Sequence, residues 1–479
     1  QSAVDQGAKP IVLEKEAALG GGGNFPEGSL GVGTRYQKEH NINTTVDQVL
    51  TAALQYHHYR ADPHVLRVLI EESGKTIDWV MDKGAQMRGI RTMYPKDESL
   101  MTWHLFKGAA GIIQRFAKEV RAKGGTILTE TPAKKLIVEN GKVVGVEAVD
   151  GEGEKVIVKA KKVIIATGGF ESNKEMLAKY VNDSSALGMF EPVWYRGPVT
   201  DGKNGDGRTG DGIQMAQLVG AGVKGMHTIA GNAPYLADLP PINQFMGADE
   251  LKQGRCALAQ PWLWVDQHGK RFFNESRGAV FVDVYNAMTS AGGVMYNIID
   301  QQKYDQLVNK GALLPFNAIV LAGVPLKALP KTFEIGQQRG WAFKADTIDD
   351  LAAQIGVPAS NLKETMNKVN EYAKAGKDPE FGRLPEHLAT FNMEKGPYYA
   401  LKGIRAFFLT LGGVTVNPKF QALNPQGDVI DNLYVVGQDI GGLYDSSYDL
   451  RCEGSASSFA MTSGRLAADN ALADVKAGK

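Results

Sequence analysis

Cysteine is nearly absent. Cys256 and Cys452 are the only two in 479 residues, too few for a disulfide framework or a cysteine-based metal cluster. No Cys-x-x-Cys-His haem attachment motif occurs, and no metal-ligating set stands out. No apolar run reaches the roughly 18 residues that a membrane span requires. Neither sign of charge is in excess, with 53 Lys plus Arg against 53 Asp plus Glu, so overall charge points neither to nucleic acid nor to an anionic membrane surface. A usable Gly-x-Gly-x-x-Gly fingerprint is missing too. The pattern occurs from Gly205 to Gly210 and from Gly220 to Gly225, but neither copy follows a strand and opens a helix, so both are rejected.

What the chain has in quantity is glycine, 56 residues clustered in loops, as expected where backbone must approach a ligand closely. Apolar content of 43% and charged content of 22% are those of a soluble globular protein. The length predicts two domains. Residues 1–7 read as the tail of a helix closed by Gly7, so a segment is expected ahead of Gln1 and a leader peptide cannot be judged.

Ile11-Val-Leu-Glu14 reads as a strand ending in an acid, the position from which nucleotide-binding α/β folds bond ribose hydroxyls; a solvated strand-end glutamate is the alternative. Gly20-Gly-Gly-Gly23, Asn24 to Ser29 and Gly31-Val-Gly33 follow. A loop so poor in side chains is costly to order and suits a flat or phosphate-bearing ligand. Apolar spacing predicts helices over residues 46–59, 63–83 and 108–123. Tyr94, Trp103 and His104 either border a cleft or, for the histidine, serve structure. Residues 126–129 read as a strand and 134–158 as a hairpin-like insert. Lys162-Val-Ile-Ile-Ala-Thr-Gly-Gly169 is an apolar strand running into a tight turn. Asp211 is the expected N-cap of a helix through Val219.

From Asn232 to Met393 the composition turns aromatic and proline-rich. A strand at 262–265, a turn and a second strand at 271–275 are expected, then a strand at 294–299 and helices at 347–355 and 359–376. Leu433-Tyr-Val-Val436 reads as a buried strand. A polar loop with Tyr448 and Arg451 then leads to a last helix, 457–471, whose N-terminus offers unpaired N–H groups and partial positive charge.

Ile11-Val-Leu-Glu-Lys15 with its glycine run, Ala166-Thr-Gly-Gly169, Gly210-Asp-Gly212, Gly269-Lys-Arg-Phe-Phe-Asn-Glu275 and Leu409-Thr-Leu-Gly-Gly413 fall in one order. In that order they resemble the FAD-dependent fumarate reductase, urocanate reductase and 3-ketosteroid dehydrogenase superfamily. The resemblance implies an α/β fold: a Rossmann-like FAD-binding domain (1–231 and 394–479) interrupted by an α+β capping domain (232–393). It implies FAD contacts at Glu14, Lys15, Gly21, Gly22, Gly23, Asn24, Ser29, Ala133, Ala166, Thr167, Gly168, Asp211, Gly437, Gln438, Ser455, Ala456 and Ser457.

The family's active site is reproduced only in part. Leu409 stands where fumarate reductases carry a histidine, the capping-domain His-Pro pair is absent, and the Glu-x-x-Arg relay is not found near Arg255. Simple fumarate reduction is therefore not expected. Arg451 matches the substrate-binding arginine and can clamp a carboxylate or carbonyl; helix capping or ion pairing is the alternative. Arg277 is either the displaced proton-donating arginine or a structural residue. Tyr448 resembles the ketosteroid dehydrogenase tyrosine, and an arginine beside it is expected to lower its pKa. Tyr444, Asp445 and Asp449 are either its support or a polar loop. The expected activity is hydride transfer from FAD to an activated C=C bond of a small molecule, with protonation by Tyr448 or Arg277. The reverse dehydrogenation and a non-catalytic electron-transfer subunit are the rivals. The electron donor is not indicated.

Overall fold

The computed structural model describes residues 1–94, 99–108, 110–181, 207–239 and 243–478. Two apolar cores organise them. One gathers Leu30, Leu66, Leu69, Val163, Leu433, Val435 and Phe459; the other runs in sequence from Ala233 to Ala406.

The first core is built on short parallel strands. Val163–Ile165 lies beside Val429–Val435, with Leu433 opposite Val163, and Gln421–Leu423 completes that sheet. Ile11–Leu13 pairs in parallel with Thr126–Leu128. A meander of Ala133–Glu139, Lys142–Val149 and Lys155–Lys159 forms the insert. Gly28–Leu30, Trp103–Phe106 and Met87–Arg91 make a further antiparallel sheet. Helices cover these layers. Val46–Tyr56 starts at a Thr45/Gln48 capping box, which satisfies two orphan donors at once. Pro63–Asp82 starts at Asp62, with proline in its first turn, where the missing N–H costs nothing. The closing helix Ser455–Lys476 packs along Pro63–Asp82. There Arg465 pairs with Glu72 at 2.6 Å and the Thr462 and Thr76 hydroxyls meet at 3.0 Å.

The second core surrounds a five-stranded sheet. Its centre is Tyr398–Thr410, flanked by Ile229–Leu236 and Val294–Asp300, with Trp264–Val265 and Ala342–Ala345 outside. Helices Ile348–Ile355 and Ala359–Ala375 cover it, burying Leu351, Leu362, Met366 and Val369. Each such side chain contributes roughly 1.5–3 kcal/mol. Among the described residues no helix is long and apolar enough to cross a membrane.

Three expectations are corrected. Residues 271–275 do not form a strand; the chain loops into one helical turn, Glu275–Arg277. The Arg271 guanidinium reaches Glu275 at 2.7 Å and Asp378 at 2.7 Å, all three buried. Four residues of strand would span about 13 Å and could not close that chelate. Helix Asp211–Leu218 is capped by Gly210 at φ 74°, so Asp211 is its first residue rather than its cap. The closing helix begins at Ser455 behind a left-handed Gly454 and runs to Lys476, longer at both ends than 457–471. Of the two rejected glycine patterns, Gly205 lies outside the described residues. Gly220 to Gly225 leads out of a helix into the strand Val223–Lys224.

Candidate active site

Ligands of open α/β sheets bind beyond the carboxyl ends of the strands. Here that edge is Ala166-Thr167-Gly168, exposed at its first two residues. Behind it sits Asp439, fully buried, accepting from the Thr167 hydroxyl at 2.7 Å and from Gly168 N–H at 2.6 Å. Thr167 Oγ1 in turn accepts from Gly212 N–H at 2.9 Å. Burial pushes the Asp439 carboxyl up to about 7, against the pull of these donors. A side chain at residue 212 would meet Ile165 at 2.3 Å, so only glycine lets this helix approach the strand.

Lys15 bonds Thr209 Oγ1 at 2.7 Å and Asp211 at 2.9 Å. Glu14, beside it, is raised by burial and accepts from Glu16 N–H at 3.0 Å. Thr131 N–H bonds Glu14 O at 2.9 Å, which brings Ala133 to the same edge. Gly21–Asn24 forms one tight turn. Arg208 bridges it to the rest: its Nη1 lies 3.1 Å from where a Gly22 side chain would begin and donates to Gln438 Oε1 at 2.6 Å. It also pairs with Glu171 at 3.1 Å, with Glu171 fully buried and Arg208 nearly so. Gln438 donates to Thr410 O at 2.9 Å and to Glu171.

The third part of the cradle is the N-terminus of the closing helix. Leu30 N–H bonds Gly454 O at 3.0 Å, and the Ser457 hydroxyl bonds Gly28 O at 2.7 Å. Ser29 therefore lies against Ser455, Ala456 and Ser457. The Ser29 and Ser458 hydroxyls are buried there without a hydrogen-bond partner among the described residues. Gly437 sits lower, its N–H on Ser463 Oγ at 2.9 Å, at the middle of the helix rather than at its pole.

Beside the same helix N-terminus, Tyr448 stands in an aromatic box. Its ring stacks on Phe281 at 6.4 Å, meets Phe408 edge-on at 5.5 Å and tilts against Tyr444 at 5.4 Å. Ala456 N–H points at its oxygen at 3.4 Å. The expected lowering of its pKa is reversed: burial and the neighbouring Asp449 raise it, so the phenol keeps its proton. Two side chains hold its main chain. Tyr56 donates to Tyr448 O at 3.2 Å. His57 donates from Nε2 to Asp449 O at 2.7 Å while its Nδ1 accepts from Asp445 N–H at 3.3 Å, so the proton sits on Nε2. Burial lowers the His57 pKa and keeps that tautomer neutral.

Asp449 accepts from the Tyr94 hydroxyl at 3.0 Å and from Arg451 N–H. Burial and nearby Glu453 hold it well above the usual carboxylate range. Glu453, likewise raised by burial, accepts from Thr92 at 2.9 Å and from Met93 N–H. Arg451 itself is half-buried with φ 59°. From the other core, Arg277 is paired with Asp283 at 2.6 Å and lies 5.9 Å from the Tyr94 ring. Tyr94 and Asp449 thus link Arg277 to the 448–451 segment, Arg451 through its main-chain N–H. His104 does not join them: it is buried between Thr34 Oγ1 and Thr102 O, both at 2.8 Å. Phe407, the neighbour of Phe408, packs in a small separate cluster with Phe170 and Ile213. Sequence reasoning missed Asp439, Arg208, Glu171, His57, Phe281 and Asp283. Only Asp439, two residues after Gly437, carried a positional signal.

The model of a family described as FAD binding domain matches residues 2–454. The chain belongs to this FAD-binding family. FAD is its cofactor, and the residues present fit it: a glycine turn, a strand-end edge, and two orphan hydroxyls at a helix N-terminus. Among relatives, vinyl phenol reductase of Lactiplantibacillus plantarum is 29% identical over 470 residues, covering 97% of this chain and 91% of that protein. NADH:acrylate oxidoreductase of Vibrio harveyi is 28% identical over 415 residues, 85% of this chain but only 36% of that longer protein. The structure of 3-ketosteroid-Δ4-(5α)-dehydrogenase from Rhodococcus jostii RHA1 shares the fold with a TM-score of 0.74 at 20% identity, covering 98% of this chain and 93% of that one.

Proposed function

We propose that this flavoprotein reduces an activated C=C bond in a small unsaturated substrate, and that the aromatic box around Tyr448 receives it. The observation that carries the reading is a buried phenol that keeps its proton, walled by Phe281, Phe408 and Tyr444 at the N-terminus of the closing helix. The name of one relative given above, vinyl phenol reductase, supports the direction. FAD, when bound, supplies hydride at its N5 for the β-carbon. Glu14, Lys15, Asp211 and the turns at Gly21–Asn24 and Ala166–Gly168 would hold its nucleotide and pyrophosphate. Ser29 and Ser455 to Ser457 would hold the ring edge, where the helix pole favours negative charge.

In this reading Arg451 clamps the electron-withdrawing group with parallel hydrogen bonds. The α-carbon takes its proton from Tyr448 or from Arg277, so hydride and proton together saturate the bond. Phe281, Phe408 and Tyr444 exclude water, which strengthens each polar contact in the pocket. Leu409, in place of a histidine, and the apolar wall suit a bulkier, less polar substrate than fumarate.

The test is anaerobic reduction of the holoprotein followed by mixing with enoates, enones and aryl alkenes. Reoxidation of the flavin by at least one class is expected. Tyr448→Phe and Arg451→Ala should each slow it by about 10²-fold or more, the range of general-acid and oriented-donor effects. Normal turnover in both variants would sink the assignment. Faster flavin reduction by the saturated partner than reoxidation by the alkene would favour the dehydrogenase direction.

A further inference from the structure

Arg405 is a buried cation to which the proposed chemistry gives no role. Arg405 lies at the middle of the central strand Tyr398–Thr410, only 2% exposed. Its Nε and Nη1 have no hydrogen-bond partner among the described residues, and no carboxylate of those residues pairs with it. A guanidinium does not shed its proton, and a buried charge without a counter-charge is strongly unfavourable. Arg255, also buried without a carboxylate, lies over two rings at 5.2 and 4.8 Å, whereas Arg405 has one ring at 5.8 Å, which leaves its charge open to a ligand anion.

Its setting points the same way. In the ladder with Ile229–Leu236, Asn232 pairs with Ala406 and Tyr235 with Ile404, so Arg405 falls on an irregularity facing two residues, Ala233 and Pro234. Bulges of this kind re-aim a side chain. The guanidinium meets the Tyr285 ring at 5.8 Å. That ring is pressed onto Gly231, where any side chain would begin 2.1 Å from it. Tyr285 belongs to helix Phe281–Ser290, one turn of about 5.4 Å beyond Phe281, the wall of the Tyr448 box. Asn286 of the same helix bonds Ser447 at 3.1 Å. A substrate with its double bond at Tyr448 and a rigid apolar body along this helix would carry its far end toward Arg405.

We infer that Arg405 is a specificity-determining residue that anchors a carboxylate at the end of the substrate remote from the reacting double bond. This rests on the proposed alkene site for the word substrate, but the binding prediction stands without turnover. The probes are 4-vinylbenzoate and its methyl ester, which differ only in that charge. Dissociation constants come from perturbation of the oxidised flavin absorbance in wild type, Arg405→Leu and Arg405→Lys holoproteins. Wild type should prefer the acid. Arg405→Leu should lower the acid-to-ester preference by ~30-fold or more, the usual effect of removing one partner of a buried charge pair, with Arg405→Lys between. Without ligand, Arg405→Leu should melt no lower than wild type, because it removes an uncompensated charge.

No acid preference in wild type, or an unchanged preference in Arg405→Leu, overturns the proposal. So does a lower melting point with unchanged preference, which marks a structural arginine. Should Arg405→Leu fail to fold, an Arg405→Lys protein with the full wild-type preference overturns it as well. An Arg405-dependent preference in a holoprotein whose reduced flavin is reoxidised by no enoate, enone or aryl alkene refutes the reductase reading and leaves the anion site standing.

Discussion

Asp439→Asn isolates the carboxyl on which the cofactor edge is built. Asp439 is fully buried behind Thr167 and Gly168, and burial raises its pKa from 3.8 to about 7. A carboxyl raised on folding makes the native state bind more protons than the unfolded one. Its stabilising contribution is therefore complete below about pH 4 and is lost as pH climbs through about 7. Two pH units separate pH 5.0 from the folded value, so at ~1.4 kcal/mol per unit wild type should lose about 3 kcal/mol between pH 5.0 and 8.5 through this group. The amide cannot ionise and removes that slope. For 479 residues at roughly 2.1 cal/mol/K per residue, unfolding entropy is near 1 kcal/mol/K, so the melting-point difference between variant and wild type should move by ~3 °C across that range. The assay is thermal unfolding of both holoproteins at several pH values under one salt condition. Parallel curves, with the same offset at pH 5.0 and 8.5, would refute the reasoning. They would mean that Asp439 is ionised throughout and held by its two donors.

Other perturbations separate scaffold from chemistry. Arg271→Ala strands the Glu275 and Asp378 carboxylates in the interior, a loss of about 3–5 kcal/mol visible in urea unfolding. Gly454→Ala places a methyl carbon 2.7 Å from Leu30 N and Trp103 Cδ1 at φ 81°; the purified protein should retain well under half of the wild-type flavin, read from its absorbance ratio. His57→Ala removes its two bonds to the 445–449 segment, at Asp445 N–H and Asp449 O, leaving that from Tyr56, and should lower kcat about tenfold or more with FAD content unchanged. An unaltered kcat would show that the loop holds its shape alone.

Much of this frame was legible in the chain. The run at Val163 to Ile165 leads into a turn glycine, and the helices expected over 46–59 and 63–83 from apolar spacing are found at Val46–Tyr56 and Pro63–Asp82. The glycine clusters did converge on one edge. What was illegible depends on partners far off in sequence. Tyr398–Thr410 is buried on both faces and has no alternation to mark it as a sheet centre. Glu171, Arg208 and Gln438 form one network only after folding, and nothing in their spacing announces it. For Tyr448 the sequence shows an arginine three residues away, whereas the pocket presents a desolvated ring and the neighbouring carboxyl of Asp449. That environment reverses the sign of the pKa shift. Residues 271–275 look like a strand by their Phe-Phe pair, but the Arg271 chelate with acids 4 and 107 positions away overrides that preference.

Helix Phe281–Ser290 has a consequence for how turnover is timed. Just ahead of it and along it, the chain carries Arg277 with its Asp283, the ring wall Phe281, the Tyr285 seat of Arg405 and the Asn286 latch to Ser447. Phe281, Asp283, Tyr285 and Asn286 share that one helix, and Arg277 is tied to it through Asp283. The helix spans both cores, with Phe281 and Val282 in the first and Val284, Tyr285 and Met288 in the second, so a shift of one core against the other would disturb the Phe281 wall, the Arg277–Asp283 pair and the Tyr285 contact with Arg405 together. Leakage of reducing equivalents to solvent and productive reduction are then alternatives set by the position of a single helix, so substitutions along its length should shift both rates in concert.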